Sequence, residues 1–194
     1  MMTAALFGAG SGALHAVTGP DHVLSLGPLV LEPRRAPWRI GASWGAGHAV
    51  GTLLLSLPVL WLADALHLPL LASIGDRLAA LALLGTAIWS YFQARRGLQS
   101  SAAPGRRTAL GVGFLHGLTG AASLLLVLPM AASGSRLTSA VFLFAFAVGS
   151  TLGMAVLTSL LARVGARLEP RVAQRSRLLL CAATALLGLV WLVA

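Results

Sequence analysis

Charge is what this sequence lacks. Of its 194 residues only 10% are charged, against about a quarter in a soluble domain. Lysine is absent, so all 14 basic residues are arginine, set against five acids. Apolar residues make up 57% of the chain and mean hydropathy is +0.86. That balance excludes an ordinary soluble domain and points to a membrane protein. The net charge of +9 does not imply nucleic-acid binding, because the arginines fall in short links between apolar runs, where they set topology. Cysteine is nearly missing too. Cys181 stands alone inside the last apolar run. This excludes an intrachain disulfide and a membrane thiol carrier, which needs a pair. Cys181 reads as a small packing residue. The opening stretch MMTAALFGAGSGALH has no basic residue before its apolar run. It reads as the start of a first span, not as a cleaved signal peptide.

What is present is a series of long apolar runs. A helix needs roughly 20 apolar residues to cross the hydrocarbon core. Stretches 3–31, 39–63, 76–94, 108–132, 137–162 and 177–194 qualify, so an all-α polytopic protein with six transmembrane helices is expected. The first run is too long for one straight crossing and contains Gly19-Pro20, so it is expected to be broken there. The links alternate in charge. The odd ones carry Arg34, Arg35 and Arg39, then Arg95, Arg96, Arg106 and Arg107, then Arg163, Arg167, Arg171, Arg175 and Arg177. The even ones carry only Arg77 and Arg136. The positive-inside rule then puts both termini outside, in a bacterial-type inner or plasma membrane.

The two halves resemble each other. GALHAVTGPDHVLSLGP (12–28) lies over GFLHGLTGAASLLLVLP (113–129), and GHAVGTLL (47–54) over GSTLGMAV (149–156). The same order recurs at the LLG of 83–85 and 186–188. The expected organisation is a first three-helix repeat over 1–98, a basic cytoplasmic linker over 99–107, and a second repeat over 108–194. Because three is odd, the second repeat is expected to be inverted, with a site near the midplane where the repeats meet.

Ionisable groups inside apolar spans are costly and mark functional sites. Here they are His15, Asp21, His22, His48 and His116, whereas His67 falls in a link and reads as solvated. Imidazole suits nickel, cobalt, zinc and copper, and a carboxylate adds charge and an oxygen ligand. In a straight helix His15 and His22 stand two turns apart, roughly 10 Å along the axis. Ligands to one ion must each lie about 2 Å from it. An unbroken helix therefore cannot use both, and Gly19-Pro20 supplies the bend that can. The plain alternative is a proline kink whose histidines hydrogen-bond to a neighbouring helix. His48 sits among Gly45, Gly47 and Gly51, a thin face suited to close packing, and reads equally as ligand or packing group. His116 matches His15 in the repeat, but Ala121, Ala122 and Ser123 replace Pro20, Asp21 and His22, and Ser150 replaces His48. The metal candidates are thus His15, Asp21, His22 and His48, with His116, Thr119 and Ser123 as a secondary set along the substrate path.

The strings GALHAVTGPDH and WGAGHAVG are similar to the motif of nickel/cobalt permeases, especially the branch of urease-accessory and high-affinity nickel transport-like membrane proteins. The spacer AVTGP is longer than in the permease motif, and no long histidine-rich loop occurs. The resemblance implies recognition of nickel or cobalt as substrate by His15, Asp21, His22 and, less directly, His48. On this reading the chain is not an enzyme and holds no prosthetic group. Its partners would be the lipid bilayer, the divalent ion, and a second copy or accessory proteins of metalloenzyme maturation. The alternatives are a transporter of sulfite-like anions, organic acids or amino acids, an intramembrane metalloenzyme, and a maturation scaffold. No HExxH motif occurs, which counts against the metalloenzyme.

Overall fold

A computed structural model describes residues 1–30, 36–62, 105–119 and 135–193, together with isolated positions between 77 and 92. Among these residues the chain forms six helices: α1 (Met2–Thr18), α2 (Pro20–Val30), α3 (Pro37–Leu62), α4 (Arg106–Thr119), α5 (Arg136–Gly165) and α6 (Pro170–Val193). No strand occurs among them.

The first apolar run is divided where its sequence dictates. α1 stops because Gly19 leaves the helical region, at φ −65° and ψ 113°, while its N–H still bonds to the His15 carbonyl. Pro20 then opens α2 at the first helical position, where a missing N–H costs nothing. The His22 N–H bonds back to the Gly19 carbonyl at 3.2 Å and carries the new helix forward. α5 starts on a serine cap, with Ser135 Oγ accepting from the Thr138 N–H at 3.3 Å.

Small residues decide how the helices meet. Gly12 presses on the Phe146 carbonyl, and Gly149 and Gly153 press on Ala9 and Ala13, so α1 runs parallel to α5. Gly47 and Gly51 press on Leu110 and Phe114, and Gly113 and Gly117 press on Trp44 and His48, so α3 runs parallel to α4. Gly41 and Gly45 meet Met154 and Thr151, which makes α3 antiparallel to α5. These contacts fall into matching pairs under the sequence alignment of the two halves. Gly12 on Phe146 corresponds to Gly113 on Trp44, and Gly149 on Ala9 corresponds to Gly47 on Leu110. α2 lies across α6, where Thr184 Oγ1 donates to the Leu24 carbonyl at 3.1 Å.

The distribution of polarity is reversed relative to a soluble bundle. His22, Ser25, Ser43, His48, Thr52, Ser56, His116, Ser139, Ser150, Thr158 and Thr184 are all buried. Along the outside of α5 runs an unbroken stripe of Phe144, Val148, Leu152, Val156, Leu160 and Val164, each about half exposed or more. Their spacing of one helical turn gives α5 a second apolar face that no part of the described chain covers.

Six crossing helices are not found among the described residues. Two are long and apolar enough to span a membrane: α5, and α6 over Arg171–Val190. One reason is geometric: the break leaves α1 with 17 residues, short of the ~20 that a crossing needs.

Candidate metal centre

The site grows from the break between α1 and α2. Gly19 has no side chain there for good reason: a Cβ would lie 2.5 Å from His22 Nδ1 and 2.9 Å from Asp21 Oδ1. Its absence lets the first turn of α2 fold back onto the last turn of α1. His22 Nδ1 then stands 3.2 Å from the His15 carbonyl, an oxygen that can only accept, so Nδ1 carries the hydrogen. This fixes the tautomer and leaves the Nε2 lone pair as the ligating atom of His22. Ser25 Oγ donates to the His22 carbonyl at 3.2 Å and braces the same turn.

Four elements now deliver side chains to one place. His15 comes from the end of α1, Asp21 and His22 from the start of α2, His48 from the middle of α3 and His116 from the end of α4. The His15 and His22 rings lie 4.6 Å apart, edge to face. His48 lies 5.9 Å from His15, 5.4 Å from His22 and 5.8 Å from His116. Asp21 Oδ2 accepts a hydrogen bond from His116 Nε2 at 2.7 Å and stands 3.6 Å from His22 Nε2. Two triads of ligand-capable atoms result, His15/His22/His48 and Asp21/His22/His116, each with all its atoms within 4.8 Å of one another.

Aromatic walls close the cluster. Trp44 is fully buried, stacks on His48 at 5.3 Å with only 13° between the planes, and also touches His22 and His116. Phe146 covers His15 at 5.4 Å. The sequence reading missed both walls. A signal was there, since the alignment of GHAVGTLL with GSTLGMAV, extended back one turn, pairs Trp44 with Phe146. It also gave His116 a minor place, whereas that residue holds the one carboxylate of the cluster. The remaining members of the secondary set, Ser123 and the Thr119 side chain, lie outside the described residues, as does His67.

Polar atoms in this interior are incompletely partnered. His22 Nε2, both ring nitrogens of His48, Trp44 Nε1 and Ser150 Oγ are buried without a hydrogen-bond partner among the described residues. Each such group costs roughly 1–3 kcal/mol. Burial also favours neutral imidazole over imidazolium, and neutral imidazole is the form that binds metal. Tetrahedral ligands about 2.1 Å from an ion stand about 3.4 Å from each other. The three nitrogens of His15, His22 and His48 lie within 4.8 Å of one another, so the donor set is of the kind that suits a divalent ion preferring nitrogen.

No family model matches this chain, and no solved structure does. Two curated proteins of Arabidopsis thaliana are similar to it. Chloroplast protein FOR GROWTH AND FERTILITY 2 is 30% identical over 188 residues, covering 89% of this chain and 50% of its own length. Chloroplast protein FOR GROWTH AND FERTILITY 1 is 30% identical over 193 residues, covering 88% of this chain and 53% of its own length. The chain thus spans about half the length of these relatives.

These findings overturn the resemblance to nickel/cobalt permeases. The relatives carry chloroplast growth-and-fertility names, not permease names. Transport of nickel or cobalt does not stand, nor does transport of an anion, organic acid or amino acid. The physical reason lies in what the motif encodes. Histidines and an aspartate around a proline break report a ligand-capable cluster, and that says nothing of whether the ligand moves. The relatives likewise give no support to a bacterial inner membrane or to an orientation of the termini.

Proposed function

We propose that this chain is a membrane-embedded metal-binding protein. It holds one divalent transition-metal ion on His15, His22 and His48, with Asp21 and His116 beside it. The observation that carries this reading is His48, a fully buried imidazole with neither ring nitrogen partnered, facing the equally unpartnered Nε2 of His22. A buried ion bound to both would satisfy them. The proposed role is binding and not an enzymatic reaction. Imidazole donors select ions of the zinc, copper, iron and nickel class over magnesium or calcium.

The membrane part of the proposal draws on the reversed polarity of the bundle and on the bare apolar stripe of α5. The chloroplast names of the relatives agree with attachment to an organellar membrane and say nothing of a ligand. The proposed architecture is a pair of inverted repeats over 1–98 and 108–194, joined by the basic linker. In its support, the glycine contacts pair between the halves, and α1 runs antiparallel to its counterpart α4.

The test is metal content and affinity in protein recovered from membranes. The chain is expected in the carbonate-washed membrane fraction. Extracted in detergent and titrated with Zn²⁺ and Co²⁺, it is expected to bind one ion. His48→Ala should weaken binding at least tenfold and His22→Ala should abolish it. Recovery in the soluble fraction would refute the membrane reading, and failure of the wild type to bind either ion would refute the metal reading.

A further inference from the structure

We infer that a single ion has two alternative positions in this cluster, exchanging around His22. One is the His15/His22/His48 set and the other is Asp21/His22/His116. This deepens the metal-binding reading and rests on it.

The argument starts from the donors. The five residues do not form one ligand shell; they form two triads with His22 common to both. Only one atom of His22 is free to serve. Its Nδ1 is held by the His15 carbonyl at 3.2 Å, and its Nε2 is buried and unpartnered. A single lone pair binds a single ion, so the two positions exclude each other.

The positions differ in readiness. In the three-histidine set, His48 has no hydrogen bond to surrender. In the other set, His22 Nε2 and Asp21 Oδ2 stand 3.6 Å apart, close to the about 3.4 Å between tetrahedral ligands. His116 Nε2 and Asp21 Oδ2, however, are only 2.7 Å apart, too close to ligate one ion together. That edge is closed by a hydrogen bond. To admit an ion it must widen by about 0.7 Å to reach that ligand spacing, and the hydrogen must pass from His116 Nε2 to Nδ1. The ion therefore rests on the three histidines, and the carboxylate set is the second position.

The repeat supports this division. His15 and His116 are equivalent residues in the two halves, and the His22 ring lies between them, 4.6 Å from one and 5.4 Å from the other. α2 thus places one shared ligand between two equivalent histidines. Asp21 and His48 complete the two sides differently, one with oxygen and one with nitrogen. That difference makes the positions distinguishable by spectroscopy.

The experiment is a Co²⁺ titration of the full chain in detergent, read by d–d absorption and X-ray absorption. The wild type should bind one Co²⁺ with a nitrogen-dominated spectrum. Asp21→Asn should keep a nitrogen-dominated spectrum but bind Co²⁺ a few-fold more weakly, since it removes the negative charge beside the ion. His48→Ala should still bind one Co²⁺, about a hundredfold more weakly, with a carboxylate oxygen now in the shell. His48→Ala/Asp21→Asn should lose binding. Asp21→Glu in the His48→Ala background should keep the oxygen-containing species, and helical content by circular dichroism shows that each variant is folded. Two Co²⁺ per chain, or loss of all binding in folded His48→Ala, would overturn the two-position inference while leaving the metal reading intact. A wild type that binds no Co²⁺ would remove both.

Discussion

Replacing His48 by phenylalanine removes both ring nitrogens and keeps a ring stacked on Trp44. Without metal, the wild type buries two unpartnered groups there, costing roughly 2–6 kcal/mol together. Phenylalanine is slightly larger, and overpacking takes back about 1–3 kcal/mol. The metal-free variant is therefore expected to be more stable than the wild type by about 1–3 kcal/mol. Metal narrows or reverses the difference. At an ion concentration a hundred times the wild-type Kd, the wild type gains about 2.7 kcal/mol, while a variant whose binding is a hundredfold weaker gains about 0.4 kcal/mol. The assay is unfolding in detergent, with chelator and then with that fixed concentration of Zn²⁺, followed by circular dichroism. The two curves should draw together or cross on adding metal. A wild type more stable than the variant even in chelator, or an equal gain from Zn²⁺ in both, would refute the reasoning that His48 is an unsatisfied ligand.

Two further outcomes are expected. Gly19→Ala puts a methyl 2.5 Å from His22 Nδ1, a contact with side chains and not with backbone. It should weaken metal binding about 10–100-fold, as loss of a group that orients a ligand does, while shifting the unfolding midpoint little; unchanged affinity by titration would count against the role of the break. Gly12→Ala and Gly113→Ala drive a Cβ into the carbonyls of Phe146 and Trp44 and should each cost about 1–3 kcal/mol. Gly10→Ala meets nothing within 4 Å and should gain up to about 1 kcal/mol from helix propensity; similar unfolding curves for all three variants would contradict the packing described here.

Parts of this molecule could be read from sequence because their causes are local. Gly19-Pro20 must interrupt a helix wherever the chain goes, and the structure ends α1 and starts α2 there. Polar groups in an apolar run must find company, and the structure brings His15, Asp21, His22 and His48 to one place. What could not be read depends on distant partners. The bond from Asp21 to His116 joins two halves of the chain, and the aromatic walls at Trp44 and Phe146 exist only once α3 and α5 have docked. Counting apolar residues also overstated the number of crossings. Hydropathy alone does not see that Gly19-Pro20 divides the first run into two helices.

The pattern of helix pairing bears on how the chain comes to be made. Among the described residues, α1 packs chiefly on α5, and α3 packs on α4 and α5. Apart from the histidine cluster, α1 and α3 find their main described packing partners in α4 and α5. During synthesis those partners emerge only with residues beyond 105. Assembly therefore depends on contacts far apart in the chain, which form slowly. The cluster around His22 is accordingly a late product of biogenesis: its last ligand-capable side chain, His116, arrives only with the second half.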